Sequence, residues 1–136
     1  MRELEIGATA SAELVVAGSD LASALRLGPE DAFPPVLATS RLVALMELAA
    51  ARLLRPILAP GELSVGVTVE VAHSAATPEG VAVGATARYL GRDGKLHLFE
   101  VIAHDRGGEI GRCKHRRAVV SSERLVAGAM RRNERV

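Results

Sequence analysis

The chain has 136 residues, of which 49% are hydrophobic and 24% charged, so it can bury the core of one ordinary domain. A net charge of +1 argues against binding to nucleic acid or to an anionic membrane. One Tyr, two Phe and no Trp also leave few rings on which bases could stack. We therefore interpret residues 1–136 as a single domain with neither a nucleic-acid nor a membrane partner.

Cysteine content and the N-terminal segment indicate the compartment. Cys113 is the only cysteine, which rules out an internal disulfide and suits a reducing cytoplasm. The first residues lack the basic start and apolar run of a signal peptide. The most apolar segment, 36–58, contains three arginines and one glutamate, which would be costly in lipid. The sequence predicts a cytoplasmic protein.

In chain order, the first half predicts one strand and two helices. Residues 11–17 have the pattern of a short strand, and a Ser-Asp cap followed by Gly-Pro predicts a short helix over 19–27. Phe-Pro-Pro at 33–35 predicts a stiff connection, because proline restricts both itself and the residue before it. A long helix is then predicted from about residue 36 to 55, where a proline follows.

The long helix is apolar around most of its circumference. At about 100° per residue, Arg41, Arg52 and Arg55 fall on one stripe, and most other positions are Leu, Val, Met or Ala. Such a helix must be covered on most sides. A sheet wrapped around it would do this.

Alternating apolar residues and turn signals predict four strands in the second half, at 62–76, 81–90, 96–105 and 109–120. A final helix over 123–130 could be capped by Ser121 or Ser122. Strands of ten residues span about 33 Å and a 20-residue helix about 30 Å, so the sheet can curl along the whole helix. The prediction is an α+β hot-dog fold, with an antiparallel five-stranded sheet wrapped around one long central helix.

Glu47 is an isolated carboxylate on this helix. Its neighbours three and four residues away are valine and alanine, and it lies about 80° or more from each arginine of the stripe. A buried carboxylate needs a partner or takes up a proton. Glu47 is therefore a candidate catalytic group. The alternative is a structural glutamate that bonds a backbone group or an arginine from another strand.

His73 follows four odd-numbered valines in the predicted strand over 62–76. If no bulge intervenes, it points toward the helix, near the strand's end. A satisfied core histidine is the alternative interpretation. Two inward titratable groups on facing elements nevertheless favour a functional site.

Thr39 lies two turns before Glu47, at the start of the predicted helix. By itself it is expected to cap the helix or bond back to the chain. A helix N-terminus also offers free N–H groups that can hold an oxyanion, so capping and catalytic roles are compatible.

Several segments resemble, in register, the fluoroacetyl-CoA thioesterase branch of the hot-dog superfamily, and together they cover nearly the whole chain. The segments are Phe-Pro-Pro-Val-Leu-Ala-Thr at 33–39 with Leu-Met-Glu at 45–47, Val-Ala-His-Ser-Ala-Ala-Thr-Pro at 71–78, Ala-His-Asp at 103–105, Glu-Ile-Gly at 109–111 and His-Arg-Arg-Ala-Val at 115–119.

The resemblance implies hydrolysis of a small acyl-CoA thioester, with Thr39, Glu47 and His73 as the catalytic group. Glu47 would act as base or nucleophile, His73 as proton shuttle and Thr39 as orienting group. These residue types suit the reaction, which needs an activated attacking group and a proton for the departing thiolate.

The resemblance also implies three substrate-binding residues: Phe33 covering the pocket from a lid segment, Gly66 near the thioester carbonyl, and Arg117 near the bound acyl-CoA. The chain departs from the pattern at Leu37 and Leu48, where the fluoroacetyl-specific enzyme has aromatic side chains. The resemblance therefore implies that this chain has the family's hydrolytic residues, but it does not imply selectivity for fluoroacetate.

The expected ligand is the acyl-CoA substrate itself, with no cofactor and no metal. His97, His104, Cys113 and His115 match no standard zinc spacing. Exposed sheet edges and the resemblance predict a homodimer, with tetramers left open. The alternatives are a non-catalytic acyl-CoA binding or sensing module and a hot-dog hydratase, whose usual motif is not seen.

Overall fold

The computed structural model describes residues 3–134, which form five strands and two α-helices. The strands are β1 (Thr9–Val15), β2 (Glu62–His73), β3 (Ala82–Asp93), β4 (Leu96–Asp105) and β5 (Gly108–Ser121), and the helices are α1 (Thr39–Leu54) and α2 (Ser122–Arg132). All neighbouring strands pair antiparallel in the order β1-β3-β4-β5-β2. α1 packs against all five strands, which confirms the predicted sheet around a central helix.

The core forms where α1 meets the inner face of the sheet. The buried helix residues are mostly long apolar side chains: Leu42, Leu45, Met46, Leu53 and Leu54. The buried residues of the central strands are mostly small: Val83, Ala85, Ala87, Val101 and Ala103. Small strand residues leave room for the large helix residues, each of which contributes about 1.5–3 kcal/mol on burial.

α1 begins three residues later than predicted. Leu37 donates its N–H to the carbonyl of Thr77 (2.8 Å), and Leu37 and Val36 form single bridges to Leu21 and Pro78. These bridges hold the two residues extended, although their side chains fit the helical pattern. The predicted C-terminus is confirmed to within a residue, since a 3₁₀ turn containing Pro56 follows α1.

The predicted helix over 19–27 is wrong. Two separate 3₁₀ turns, Gly18–Asp20 and Ala22–Ala24, occupy this region instead. Leu21 between them is extended, because it bridges to Leu37. Asp20 accepts hydrogen bonds from the Ala17 N–H and from Arg41, and these contacts hold the pKa of its carboxyl below the ordinary value despite burial.

A β-bulge divides β2 between Gly66 and Thr68, which lie opposite Arg117 and Arg116. Before the bulge, Ser64 and Gly66 face the helix, and after it the inward positions are odd-numbered. The expectation of one inner face running through every odd-numbered valine is therefore wrong for the first half of the strand, and Val67 is 51% exposed. His73 lies beyond the bulge and remains on the inner side.

The final helix is confirmed. Ser121 caps it, with its hydroxyl accepting from the Arg124 N–H at 3.3 Å. None of the helices within residues 3–134 combines the length and apolar character needed to cross a membrane.

Candidate functional site

Thr39 and His73 meet where α1 begins and β2 ends. Thr39 Oγ1 lies 2.8 Å from His73 Nδ1. Thr39 does not cap α1, because Ala38 is the N-cap residue and no side chain caps this end. The threonine hydroxyl contacts the imidazole instead, so the capping expectation is wrong and the catalytic role of Thr39 stays a prediction.

The Thr39–His73 pair borders a surface cleft of ≈ 260 Å³. The other lining residues are apolar or small: Ala22, Val36, Leu37, Ser74, Ala75 and Ala76. The second ring nitrogen, His73 Nε2, is buried and has no hydrogen-bond partner among residues 3–134. One ring nitrogen is therefore held by Thr39, while the other is buried without a partner among the described residues.

Glu47 on α1 forms an ion pair with an arginine of β5, which agrees with the alternative interpretation of Glu47 as a structural glutamate. Its Oε2 lies 2.9 Å from Arg117 Nη1. The Arg117 side chain is only 7% exposed and that of Glu47 is 38% exposed. The carboxylate thus has the partner that a partly buried charge requires, while part of it still faces outward.

Arg117 is held from two further sides. Its Nε and Nη2 donate to the hydroxyl and carbonyl oxygens of Ser64, both at 3.0 Å. Its Nη1 also lies 3.2 Å from His115 Nε2. Arg117 therefore lies behind Glu47 within the core, and its expected contact with acyl-CoA stays a prediction.

His115 is completely buried, and its tautomer follows from its contacts. Its Nδ1 lies 2.8 Å from the carbonyl oxygen of Thr68, which can only accept, so Nδ1 carries the proton. Burial and the neighbouring Arg117 lower the pKa of His115, although its bond to Thr68 opposes this. From the sequence, His115 is excluded only as a zinc ligand; its alternation with Arg117 on β5 is the signal that could have indicated its place in this cluster.

Gly66 provides the space that the Glu47 carboxylate occupies. A Cβ built at this glycine would overlap Glu47 Oε2 and lie 3.3 Å from His115 Cε1. Any larger residue would have to displace the carboxylate. We call Glu47, Gly66, His115 and Arg117 the Glu47 cluster.

The Glu47 cluster and the Thr39–His73 pair are separate within one chain. Thr39 and Glu47 are two helical turns apart, or about 12 Å along the axis. Within residues 3–134, Glu47 forms no hydrogen bond with Thr39 or His73. Both groups nevertheless lie beside β2, one of the two edge strands of the sheet, with His73 at its end and Gly66 at its bulge.

The other predicted residues lie around these two groups. Phe33 is 52% exposed in the loop before α1 and does not line the Thr39–His73 cleft. Leu37 is buried and does line it, whereas Leu48 is 44% exposed on the solvent side of α1. Burial raises the pKa of the Cys113 thiol to about 11, which makes it a poor nucleophile.

Known proteins resemble the chain over most of its length. The family model described as FlK, fluoroacetyl-CoA-specific thioesterase, matches residues 16–123. The fluoroacetyl-CoA thioesterase of Streptantibioticus cattleyicolor is 45% identical over 95 residues, which are 70% of this chain and 68% of that protein.

Solved structures agree with this assignment. A structure of the fluoroacetyl-CoA thioesterase FlK matches with a TM-score of 0.91 and 35% identity, over 98% of this chain and 100% of that one. A hypothetical protein of the thioesterase superfamily from Thermus thermophilus matches with a TM-score of 0.85 and 29% identity, over 96% and 94%. The chain therefore has the hot-dog fold and belongs to the fluoroacetyl-CoA-specific thioesterase family.

Proposed function

We propose that this protein hydrolyses the thioester of a small acyl-CoA at a site built from the Glu47 cluster of one subunit and the Thr39–His73 pair of its partner. Membership of a thioesterase family identifies the protein as a thioester hydrolase. The observation that carries the proposal is the division of the chemistry into two incomplete halves, both beside the outer edge of β2.

The free edge of β2 supports a homodimer. Within the described chain, β2 pairs with β5 alone, so its other edge presents unpaired N–H and C=O groups. Large apolar side chains are exposed on this strand: Leu63 (56%), Val67 (51%) and Val69 (37%). Antiparallel pairing of β2 with its symmetry mate would satisfy the edge and cover apolar surface in one isologous interface.

One register of this pairing completes the site. If the two-fold axis passes through Glu70 and the bulged residue Val67 stays unpaired, Gly66 lies opposite the partner's His73. The Glu47 carboxylate, which touches Gly66, would then approach the partner's imidazole. Sedimentation should show a dimer or a higher assembly of dimers, and a stable monomer at micromolar concentration would refute the arrangement.

The residues can then divide the chemistry. If Glu47 deprotonates water, which attacks the carbonyl carbon, His73 Nε2 takes that proton from Glu47 and passes it to the departing coenzyme A thiolate. If Glu47 instead attacks the carbonyl carbon directly, a protonated His73 gives its Nε2 proton to the departing thiolate, and the water that opens the resulting anhydride returns a proton to His73. Thr39 can accept from or donate to Nδ1, so it holds the ring in either tautomer. The Gly66 N–H is assigned to the developing oxyanion.

The proposal also covers the cofactor of this reaction, the domain that performs it and its compartment. Coenzyme A enters as part of the substrate, and the hydrolysis is assigned no cofactor. Residues 1–136 act as one domain, and the reducing cytoplasm suits the single buried free thiol, Cys113.

Phe33 is assigned the role of covering the acyl group of the substrate. Its 52% exposure leaves it free to contact a substrate or a partner subunit.

Mixed dimers test the shared site directly. Glu47→Gln and His73→Ala should each be inactive in a thiol-release assay on a panel of acyl-CoAs. Coexpressed, they should form mixed dimers with one intact site, which restores about a quarter of wild-type activity by random assortment. Glu47→Gln with Gly66→Ala is the matched control, because both changes fall in the Glu47 cluster and every site of a mixed dimer remains damaged.

These assays distinguish the shared site from a site within one chain and from a non-catalytic module. No restoration by Glu47→Gln with His73→Ala would place the whole site within one chain and contradict the shared arrangement. Acyl-CoA binding by the wild-type protein without thiol release on any substrate would favour the non-catalytic binding or sensing module instead.

A further inference from the structure

We propose that His115 is a positioning residue for Glu47, because its Nε2 accepts a hydrogen bond from Arg117 and thereby fixes the guanidinium that holds the carboxylate. The inference rests on the proposed catalytic role of Glu47. It assigns a function to a buried histidine that takes no part in the proposed chemical steps.

The direction of each hydrogen bond in the cluster is determined. The Thr68 carbonyl fixes the proton of His115 on Nδ1, which leaves a lone pair on Nε2. Arg117 Nη1 carries two hydrogens, one directed to this lone pair at 3.2 Å and the other to Glu47 Oε2 at 2.9 Å. The bonds therefore run without conflict from the backbone of β2 to the carboxylate on α1.

Ser64 and His115 hold the guanidinium from different sides. Ser64 accepts from Nε and Nη2 through its hydroxyl and carbonyl oxygens. The guanidinium is planar and rigid, so the bonds that fix its position also fix the direction of both Nη1 hydrogens. Without His115, only the two Ser64 bonds at Nε and Nη2 would hold the group, and Nη1 could shift relative to Glu47.

The arrangement leaves one carboxylate oxygen for chemistry. Oε2 is bonded to Arg117, whereas Oε1 has no hydrogen bond within residues 3–134. With a side chain 38% exposed, Glu47 can present Oε1 to a substrate or to water, while Oε2 faces Gly66. A displacement of about 1 Å at such a group can cost about 100-fold in rate, so a rigid support matters.

Two variants of His115 test the acceptor at Nε2 and the donor at Nδ1 separately. Glutamine extends far enough to place an amide oxygen near the position of Nε2, which retains an acceptor for Arg117. Asparagine places its amide nitrogen near Nδ1, which retains the bond to Thr68 and loses the acceptor. We expect His115→Asn to lower kcat about 10–100-fold with KM nearly unchanged, and His115→Gln to recover most of that loss.

Arg116 and Arg117 provide a matched pair on the same strand. Arg116 points to the outer face, where it pairs with Asp93 at 2.8 Å. Arg116→Gln should keep wild-type kcat, whereas Arg117→Lys should lower it, because an ammonium cannot make the same set of directed bonds. Ser64→Ala, which removes one anchor and leaves the core intact, should lower kcat by a few-fold.

Thermal unfolding of each variant controls for structural damage, and NMR of the ring nitrogens gives a readout independent of turnover. The wild-type protein at neutral pH should show the Nδ1–H tautomer of His115. The opposite tautomer, or equal kcat for the two His115 variants while Glu47→Gln is inactive, would overturn the inference and leave the proposed function standing. Wild-type turnover by Glu47→Gln would instead refute the proposed role of Glu47, whatever the His115 variants do.

Discussion

The two halves of the proposed site differ in what holds their side chains. Thr39 and His73 come from the ends of α1 and β2 and share one hydrogen bond beside an open cleft. Glu47 is held by Arg117, which is 6% exposed and has hydrogen-bond partners on α1, β2 and β5. The Thr39–His73 pair is thus placed by the start of α1 and the end of β2, whereas the Glu47 carboxylate is placed by packing between α1, β2 and β5.

Substitutions in the two halves should therefore differ in their effects on turnover and stability. A change at the Thr39–His73 pair should alter turnover with little effect on the fold, because few other contacts depend on it. A change in the Glu47 cluster should affect both turnover and stability, because a removed partner leaves a buried charge or donor unsatisfied.

The largest expected effect is that of Glu47→Gln, which separates the charge of the carboxylate from its packing. The amide oxygen can still accept from Arg117, so the protein should fold, while kcat/KM should fall about 10²–10⁴-fold with loss of the base or nucleophile. Steady-state kinetics and Tm should be measured on the same preparation. A folded variant with wild-type turnover would remove Glu47 from the mechanism.

Gly66→Ala should damage the same half by displacement. The new methyl group would overlap Glu47 Oε2, so we expect kcat to fall about 100-fold and Tm to decrease. Gly18→Ala is the control, because a Cβ there would meet only the Glu79 carboxylate at 3.8 Å. Equal activity of the two variants would mean that the carboxylate has room to move without cost.

A smaller effect is expected at the other half. Thr39→Ala removes the hydroxyl that holds His73, and one such hydrogen bond is worth about 0.5–1.5 kcal/mol, so kcat should fall by up to about tenfold. Thr39→Ser keeps the hydroxyl and should retain most of the activity. If alanine and serine behave alike at this position, orientation of the imidazole does not depend on Thr39.

The smallest expected effect is the preference between fluoroacetyl-CoA and acetyl-CoA. Leu37 gives the Thr39–His73 cleft an aliphatic wall, and an apolar pocket gains only about 10–200-fold from a whole methylene group, which is a larger change than fluorine for hydrogen. Competition kinetics should therefore give kcat/KM values for the two substrates that differ by less than about tenfold. A preference of many orders of magnitude for the fluorinated substrate would show that other residues rebuild a selective pocket.

Local patterns in the sequence determined much of the architecture. The apolar circumference of the 36–55 segment predicted a covered helix, and alternation between 62 and 120 predicted the strands that cover it. Both signals are read within one element, since a 3.6-residue or two-residue period needs no knowledge of the partner. Glu47 and His73 were visible for the same reason, because each interrupts an apolar pattern.

Only the tertiary structure decided how these elements meet. The bulge after Gly66 shifts which residues of β2 face the helix, and the bridge between Leu21 and Leu37 replaces a predicted helix with two turns. Glu47 and Arg117 are 70 positions apart, and Thr39 and His73 are 34 apart. Such contacts depend on the register between distant segments, which arises from packing of the whole core and leaves no periodic trace in the chain.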